Sequence, residues 1–489
     1  MPEPVNSPPR GLRFALFAHP SVQAVRFATK LALPWFLTAS EYGEAILPSL
    51  LVLGLQHVAV FGLDEALVSA RALDAPLWRA MRGFQDRLAL SLAALLSLVG
   101  LGLHAAQGQD QLGLLLVALA PMLFVANRAT LPTWLLVRER RFFDLFVVDL
   151  GAVLAFAGVA LLGAAAGLGP WSLVLGWWAN ALAALALATR RSLDLVPRAE
   201  RGAADWPAVR RTGGRLTSAA VLGYVGERLD GAAIGFVLGR PALGLFENAQ
   251  TVGHVLLGWG QNVADRYLFP TLAADERAQG SGGGYLRAVR TTILFVLPPH
   301  VVLALAADPL VRTVFPASWQ GTAPLLAVLA LAAAARCADL LAVTALKAAG
   351  QAADVVRLGW ARLALVAVAL ASSLPHGLQA VALAVLASRV LSAAVALALA
   401  ARRIEVAQHR AAAALGRAGV AFVAWTATLT GLAYALRPAA ASWAPLAHVA
   451  VLGASSVLLW GLARGLLDRG ALRVDLARFR ARYERGARP

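Results

Sequence analysis

Five basic residues stand well inside long apolar stretches: Arg26, Lys30, Arg228, Arg336 and Arg389, with Arg128 nearer one end of its stretch. A cation in an apolar interior is costly unless water, an acid or an anionic ligand meets it. Such residues can line a cationic cavity for an anionic ligand. Alternatively they send their head groups to an interface or neutralise helix–helix ion pairs. Arg26 and Lys30 are four residues apart, so they share one helix face, and no acid lies on that helix to pair with them. Arg336 has Asp339 three residues on, a spacing that predicts a local pair. Arg128 and Arg389 stay open to both readings. Acids within apolar stretches are Asp149, Glu227, Asp230, Asp265 and Asp339. Glu227 and Asp230 share a face and can either bind a coupling proton or cation or pair with arginines of the other half. Asp265 beside Arg266 reads as an interfacial ion pair.

Other chemistry is not signalled. The eight histidines show no HExxH or other ligand spacing, and His57 and His254 sit in apolar runs as packed helix residues. With one cysteine, Cys337, there is no intramolecular disulfide and no cysteine-based metal site. No catalytic residue, metal or cofactor is expected. Gly231, Gly235 and Gly239 repeat every four residues and give one helix a smooth face, either a static contact or a sliding one.

The elements that must position these residues follow from composition. The chain has 489 residues, 59% hydrophobic and 15% charged, with a mean hydropathy of +0.67. A soluble protein carries about 25% charged residues. The composition predicts an all-α polytopic membrane protein and excludes an extended soluble enzyme domain. A span uses ~20 apolar residues, so fourteen spans take about 280. We place them at 14–37, 43–63, 87–106, 112–136, 143–164, 169–189, 214–238, 243–270, 287–307, 322–346, 358–374, 378–401, 412–436 and 446–467. The first is interrupted by Pro20, Arg26 and Lys30, and 358–374 is short.

Net charge is +17, and all basic residues except Lys30 and Lys347 are arginine, a skew that suggests a GC-rich bacterial genome. With the amino terminus inside, the cytoplasmic loops and tails hold 32 Lys/Arg and the opposite loops three, Arg240, Arg312 and Arg437. Basic loops are retained on the cytoplasmic side. Both termini are therefore expected in the cytoplasm, with the protein in a bacterial inner membrane. The expected organisation is a cytoplasmic tail (1–13), an N-lobe of six spans (14–200), a C-lobe of six (201–403), two further spans (404–468) and a basic cytoplasmic tail (469–489). The basic connector 190–214 separates the lobes and is expected to lie on the membrane surface. The longest outward loop is 308–321, which leaves no room for an external catalytic domain. A faint internal echo links LTASEYGEAI with LGRPALGLFENA, about 200 residues apart, in the manner of transporters built from repeats.

Four stretches, spread over roughly residues 20–360, then carry a family resemblance. They are LTASEYGEAILPSLLVLGLQHVAVFGLDEALVSAR; LPTWLLVRERRFFDLFVVDL followed by GLGPWSLVLGWW; ERLDGAAIGFVLGRPALGLFENA; and ADPLVRTVFPASWQGTAPLLAVLAL, ending in LKAAGQAADV. In order and spacing the chain resembles the polysaccharide-transporter branch of the exporter superfamily that includes multidrug extruders, oligosaccharide-lipid flippases and the lipid II flippase. Phe246 stands where that family usually has Tyr, and Glu227 and Arg228 crowd Asp230, departures that bear on the identity of the sugar. The resemblance implies about fourteen helices, with two six-helix lobes around a central cavity, plus two carboxy-terminal helices, working by alternating access. The implied substrate is an undecaprenyl-diphosphate-linked oligosaccharide, moved to the outer leaflet for lipopolysaccharide or exopolysaccharide assembly. Expected partners are this lipid-linked oligosaccharide, membrane lipid, a coupling H+ or Na+, and a polysaccharide polymerase or glycosyltransferase, with no nucleic acid. Competing readings are a cation-coupled exporter of small molecules with the same fold, and a membrane glycosyltransferase or polymerase.

Overall fold

The computed structural model describes residues 10–70, 73–107, 111–197, 206–263, 283–404, 408–440 and 445–467. The expectations for residues 1–9, the lobe boundary at 200/201, Asp265 with Arg266, and the tail 469–489 lie outside the described residues. Within them the chain is helical and contains no strand. It divides into two compact units, one ending at Glu247 and the other beginning at Asn248.

The first unit holds α1 (Arg10–Ala32), α2 (Ala39–Val60), the short α3 (Leu63–Ser69), α4 (Ala75–Gln107), α5 (Gln111–Arg138), α6 (Phe142–Ala165), α7 (Trp171–Ser192), α8 (Trp206–Val237) and the start of α9 (Arg240–Val263). The second holds the rest of α9, then α10 (Gly283–Thr291), α11 (Leu297–Leu305), α12 (Ala307–Val314), α13 (Thr322–Ala348), α14 (Ala352–Ser373), α15 (Leu378–Arg403), α16 (Gln408–Ala440) and α17 (Pro445–Leu467). Within the described residues, each of the fourteen expected spans lies on helix. Among the described residues, ten helices are long and apolar enough to cross a membrane. The helices α1, α8 and α9 are not among the ten. They carry the charges of interest: Arg26 and Lys30, Glu227, Arg228 and Asp230, and Glu247.

Local sequence explains the boundaries. Thr38 caps α2, its Oγ1 accepting from the Glu41 N–H at 3.3 Å while Glu41 accepts from the Thr38 N–H at 2.8 Å. This reciprocal box satisfies two orphan donors at the helix start. The ninth expected span is not one regular helix. A π turn at Thr292–Val296 separates α10 from α11, directly before Pro298 and Pro299, which lack N–H groups and crowd the preceding turn. The outward segment 308–321, expected to be a loop, is largely ordered as α12 and a 3-10 turn at Ala317–Trp319, with Trp319 fully buried. Burying one large indole there favours order over an open loop. At the two described ends of the connector 190–214, Leu195, Val196, Trp206 and Val209 pack on Leu63, Leu67, Trp78 and Met81, and the Trp206 ring meets Phe84 at 5.5 Å.

In the first unit the core forms where α2, α4, α5 and α7 meet, around Val52, Ala89, Leu96, Leu115, Leu119, Leu123 and Val174. A buried polar tie crosses it. Gln85 donates to Asn127 at 3.1 Å, and Asn127 donates to the Ala59 carbonyl at 3.3 Å. In the second unit, α13 and α15 pack along their lengths, burying Leu341, Ala342, Leu346, Ala396 and Ala400. Trp425 of α16 donates to the Ser456 carbonyl of α17 at 3.1 Å and stacks edge-on with Trp460 at 5.3 Å.

The starts of α2 and α9 cross very closely. A Cβ on Gly43 would run into the Arg240 carbonyl, and one on Gly244 would run into the Ala39 carbonyl. The contact is reciprocal, each glycine standing four residues after the carbonyl that the other approaches. Arg240 and Glu44 close the crossing with an ion pair at 3.2 Å. Below it, α2 continues against α8, where Tyr224 donates its hydroxyl to the Leu50 carbonyl at 2.6 Å.

Candidate functional site

Helices α1, α2, α8 and α9 bring charged and polar side chains to one place in the first unit. Arg26 and Lys30 project from α1 on one face, both exposed, while Thr29 between them is buried and bonds back to the Val25 carbonyl at 2.8 Å. The charge that acts most strongly on Lys30 is Glu247, followed by Arg228 and Arg26. Arg228 of α8 donates from one guanidinium nitrogen to Glu247, 3.3 Å from Oε2 and 3.5 Å from Oε1. Glu247 is buried, as is Tyr42, on which Glu247 and then Arg228 act. Glycine 231 makes room for the acid: a Cβ there would stand 2.8 Å from Glu247 Oε1. Asp230 is buried beside them, its Oδ1 accepting from the Gly231 N–H at 2.8 Å, and its charge acts on both Arg228 and Glu247.

Glu227 is exposed, and its charge acts on Arg228, as that of Asp230 does, and on His57, whose ring lies 5.0 Å from Tyr224. Glu247 is a further acid beside Asp230. Chemically, the site offers three cations, two buried carboxylates and a phenol. That set suits an anionic group better than a neutral one.

Arg128 is engaged separately. It pairs with Asp86 of α4 at 3.2 Å and lies over the Phe124 ring at 5.5 Å, with Arg82 acting nearby. Arg336 belongs to the second unit. The local pair predicted from its spacing is present, Arg336 to Asp339 at 2.7 Å. Asp339 also accepts from Arg362 of α14 at 2.5 Å and from Ser392 of α15 at 3.4 Å. Arg389, half-buried on α15, acts on Arg362. Among the described residues, no group of three or more His, Cys, Asp or Glu side chains is placed to hold a metal ion.

Glu247 and Arg362 were not singled out by the sequence reading. Both carried a usable signal, since each is a charged residue inside an expected span, 243–270 and 358–374 respectively.

Residues 33–324 match the family described as "Polysaccharide biosynthesis protein". No curated protein sequence matches the chain. Among solved structures, the lipid II flippase MurJ in an inward closed conformation matches with a TM-score of 0.72 at 12% identity, covering 94% of this chain and 99% of that one. An inward-facing multidrug resistance MATE family transporter of the MOP superfamily matches with a TM-score of 0.59 at 11% identity, covering 78% of this chain and 94% of that one. At these identities the likeness is one of fold, an all-helical, multi-pass membrane architecture.

Proposed function

Because the chain belongs to the polysaccharide biosynthesis protein family, we propose that it flips an undecaprenyl-diphosphate-linked oligosaccharide across a bacterial inner membrane. In this reading residues 14–200 and 201–403 act as alternating-access lobes, 404–468 form an accessory pair of spans, and both termini face the cytoplasm. The protein is a transporter rather than an enzyme, and its product feeds surface polysaccharide such as lipopolysaccharide or exopolysaccharide.

The observation that carries the reading is the grouping of Arg26, Lys30 and Arg228 in the first unit, around buried acids and on helices of a membrane protein. A lipid-linked diphosphate brings two or more negative charges into the membrane and needs fixed cations along its way. Arginine and lysine meet that need with charge-assisted bonds to phosphate oxygens. Arg336 and Arg389 belong to a second cationic group, in the other unit, that can receive the same ligand later. Arg128, at the α4–α5 pair, is suited to the first encounter with the headgroup. Glu227 and Asp230 are the candidates for a coupling proton or sodium ion, and a polymerase or glycosyltransferase is the natural neighbour on the product side.

The reading is tested by deleting the gene and separating membrane lipids by leaflet. Undecaprenyl-diphosphate-linked glycan should accumulate in the inner leaflet and surface glycan should fall, with recovery on complementation. Unchanged surface glycan together with altered drug susceptibility would favour the small-molecule exporter instead.

A further inference from the structure

We propose that Glu247 is an internal counter-anion: it holds Arg228 and Lys30 while the site is empty and yields them to the phosphates of an arriving lipid diphosphate. The inference rests on the transport reading above and assigns Glu247 a positioning role in it.

Three features of the geometry carry it. The first is an asymmetry of exposure. The Glu247 side chain is 8% exposed while that of its partner Arg228 is 39% exposed, and Lys30 is exposed as well. The cations have an open side and the acid has none, so a ligand can reach Arg228 and Lys30 but not Glu247. The second is the seat of the acid. Its Oε1 occupies the notch over Gly231, 2.8 Å from where a Cβ would stand, so the carboxylate packs against the α8 backbone, behind the cations. The third is the looseness of the pair. Arg228 meets the two carboxylate oxygens at 3.3 and 3.5 Å from a single nitrogen, longer than the ~2.7–2.9 Å of a strong charge-assisted bond. An arginine held that loosely gives up little when it turns to a phosphate oxygen.

The physical consequence is an exchange of anions. Cations gathered without a counter-charge repel one another, so an empty site made only of Arg26, Lys30 and Arg228 would cost the resting protein stability. It would also hold a diphosphate too tightly to release it. A fixed carboxylate behind the cations corrects both. It stabilises the empty state and competes with the ligand, so the ligand must bring more than one negative charge to displace it. The device therefore favours diphosphates over monophosphates and neutral lipids.

The test uses the purified full-length protein in nanodiscs, with farnesyl diphosphate as the probe and inorganic diphosphate and farnesol as controls. Wild type should bind farnesyl diphosphate, inorganic diphosphate should compete, and farnesol should not bind. In Glu247→Gln the ligand-free unfolding midpoint should fall, while farnesyl diphosphate should bind about tenfold tighter, because its competitor is gone. The midpoint gap to wild type should then shrink at saturating ligand, which a merely structural residue would not produce. Equal or weaker binding by Glu247→Gln, with wild type binding normally, overturns the counter-anion role and leaves the transport reading intact. Failure of wild type to bind either diphosphate overturns both. Should Glu247→Gln not fold, Glu247→Asp withdraws the charge by one methylene and should tighten binding about two- to threefold. Binding no tighter than wild type by that variant overturns the proposal equally.

Discussion

Each unit contains a cluster of arginines around a buried acid, and the two clusters are built differently. In the second unit Asp339 accepts from Arg336 at 2.7 Å and from Arg362 at 2.5 Å, with Ser392 as a third donor. All three charged side chains are shut away, at 15%, 17% and 3% exposure for Arg336, Arg362 and Asp339. In the first unit the Arg228–Glu247 pair is longer, its arginine is far more open, and Lys30 and Arg26 stand beside it. Similar ingredients thus give a closed tie between α13, α14 and α15 in one unit and a longer, more open group in the other. A tight, dry network fixes helices. A loose one with an open cationic side is ready to change partners. Presence of arginine in a span does not separate these roles, whereas distance and exposure do.

The comparison breaks most visibly if the open cluster proves dispensable. If the protein exports a lipid-linked glycan as proposed, replacing Arg26 and Lys30 together by glutamine should leave insertion and folding intact while export collapses, because the diphosphate would lose its counter-charge. Protein level, unfolding midpoint and surface glycan, measured together in a complemented deletion strain, decide it. Normal export by a well-expressed double variant would make those two residues structural and reverse the contrast.

The closed cluster should behave in the opposite way. Asp339→Ala strands Arg336 and Arg362 in an apolar interior and should destabilise the protein by about 3–5 kcal/mol, the cost of breaking one side of a buried ion pair. The readout is the unfolding midpoint of the purified protein. A wild-type midpoint with export lost would show that Asp339 serves the ligand, and the second cluster would then belong with the first.

How much of this could be read from the sequence depends on the range of the interaction. The fourteen helical segments follow from apolar run length, a local property, and so does the Arg336–Asp339 pair, set by its i,i+3 spacing. The glycine turns of LTASEYGEAI and LGRPALGLFENA were visible as an echo, but only the fold shows Gly43 and Gly244 meeting each other's backbone partners. Glu247 to Arg228 and Asp339 to Arg362 join different helices, and nothing in a single sequence specifies which helices meet. In sequence the segment 308–321 reads as a loop because its polar residues outweigh one tryptophan, Trp319, whose burial decides the outcome.

A third change probes the crossing of α2 and α9 beside the open cluster. Gly43→Ala and Gly244→Ala each drive a methyl group into a carbonyl of the facing helix and should each cost about 1–3 kcal/mol, the usual range for overpacking. The reciprocity of the contact adds a sharper expectation. Both variants open the same crossing, so the double variant should cost clearly less than the two single costs combined. Full additivity in unfolding midpoints would mean that the two glycines relax independently and that the crossing is not one shared contact.

The smallest effect belongs to an exposed pair, which shows what burial contributes to the larger ones. Asp194, just beyond α7, pairs with Arg141 at the start of α6, and Arg191 pairs with Asp144 alongside at 2.9 Å. The hydrogen bond from Arg141 holds the Asp194 carboxyl below its ordinary value of 3.8. A carboxyl depressed in the folded state contributes stability that is fully present above its unfolded value. That contribution is lost as pH falls below about 4 and through the folded value. Asp194→Asn should therefore lower the unfolding midpoint only slightly at neutral pH, and the difference from wild type should vanish in acid. It should also vanish in about 0.5 M salt, where screening reaches within a few ångströms, while the Asp339→Ala deficit persists because its charges are out of reach of the ions. If salt removed both deficits, the Asp339 network would be as accessible to ions as the surface pair.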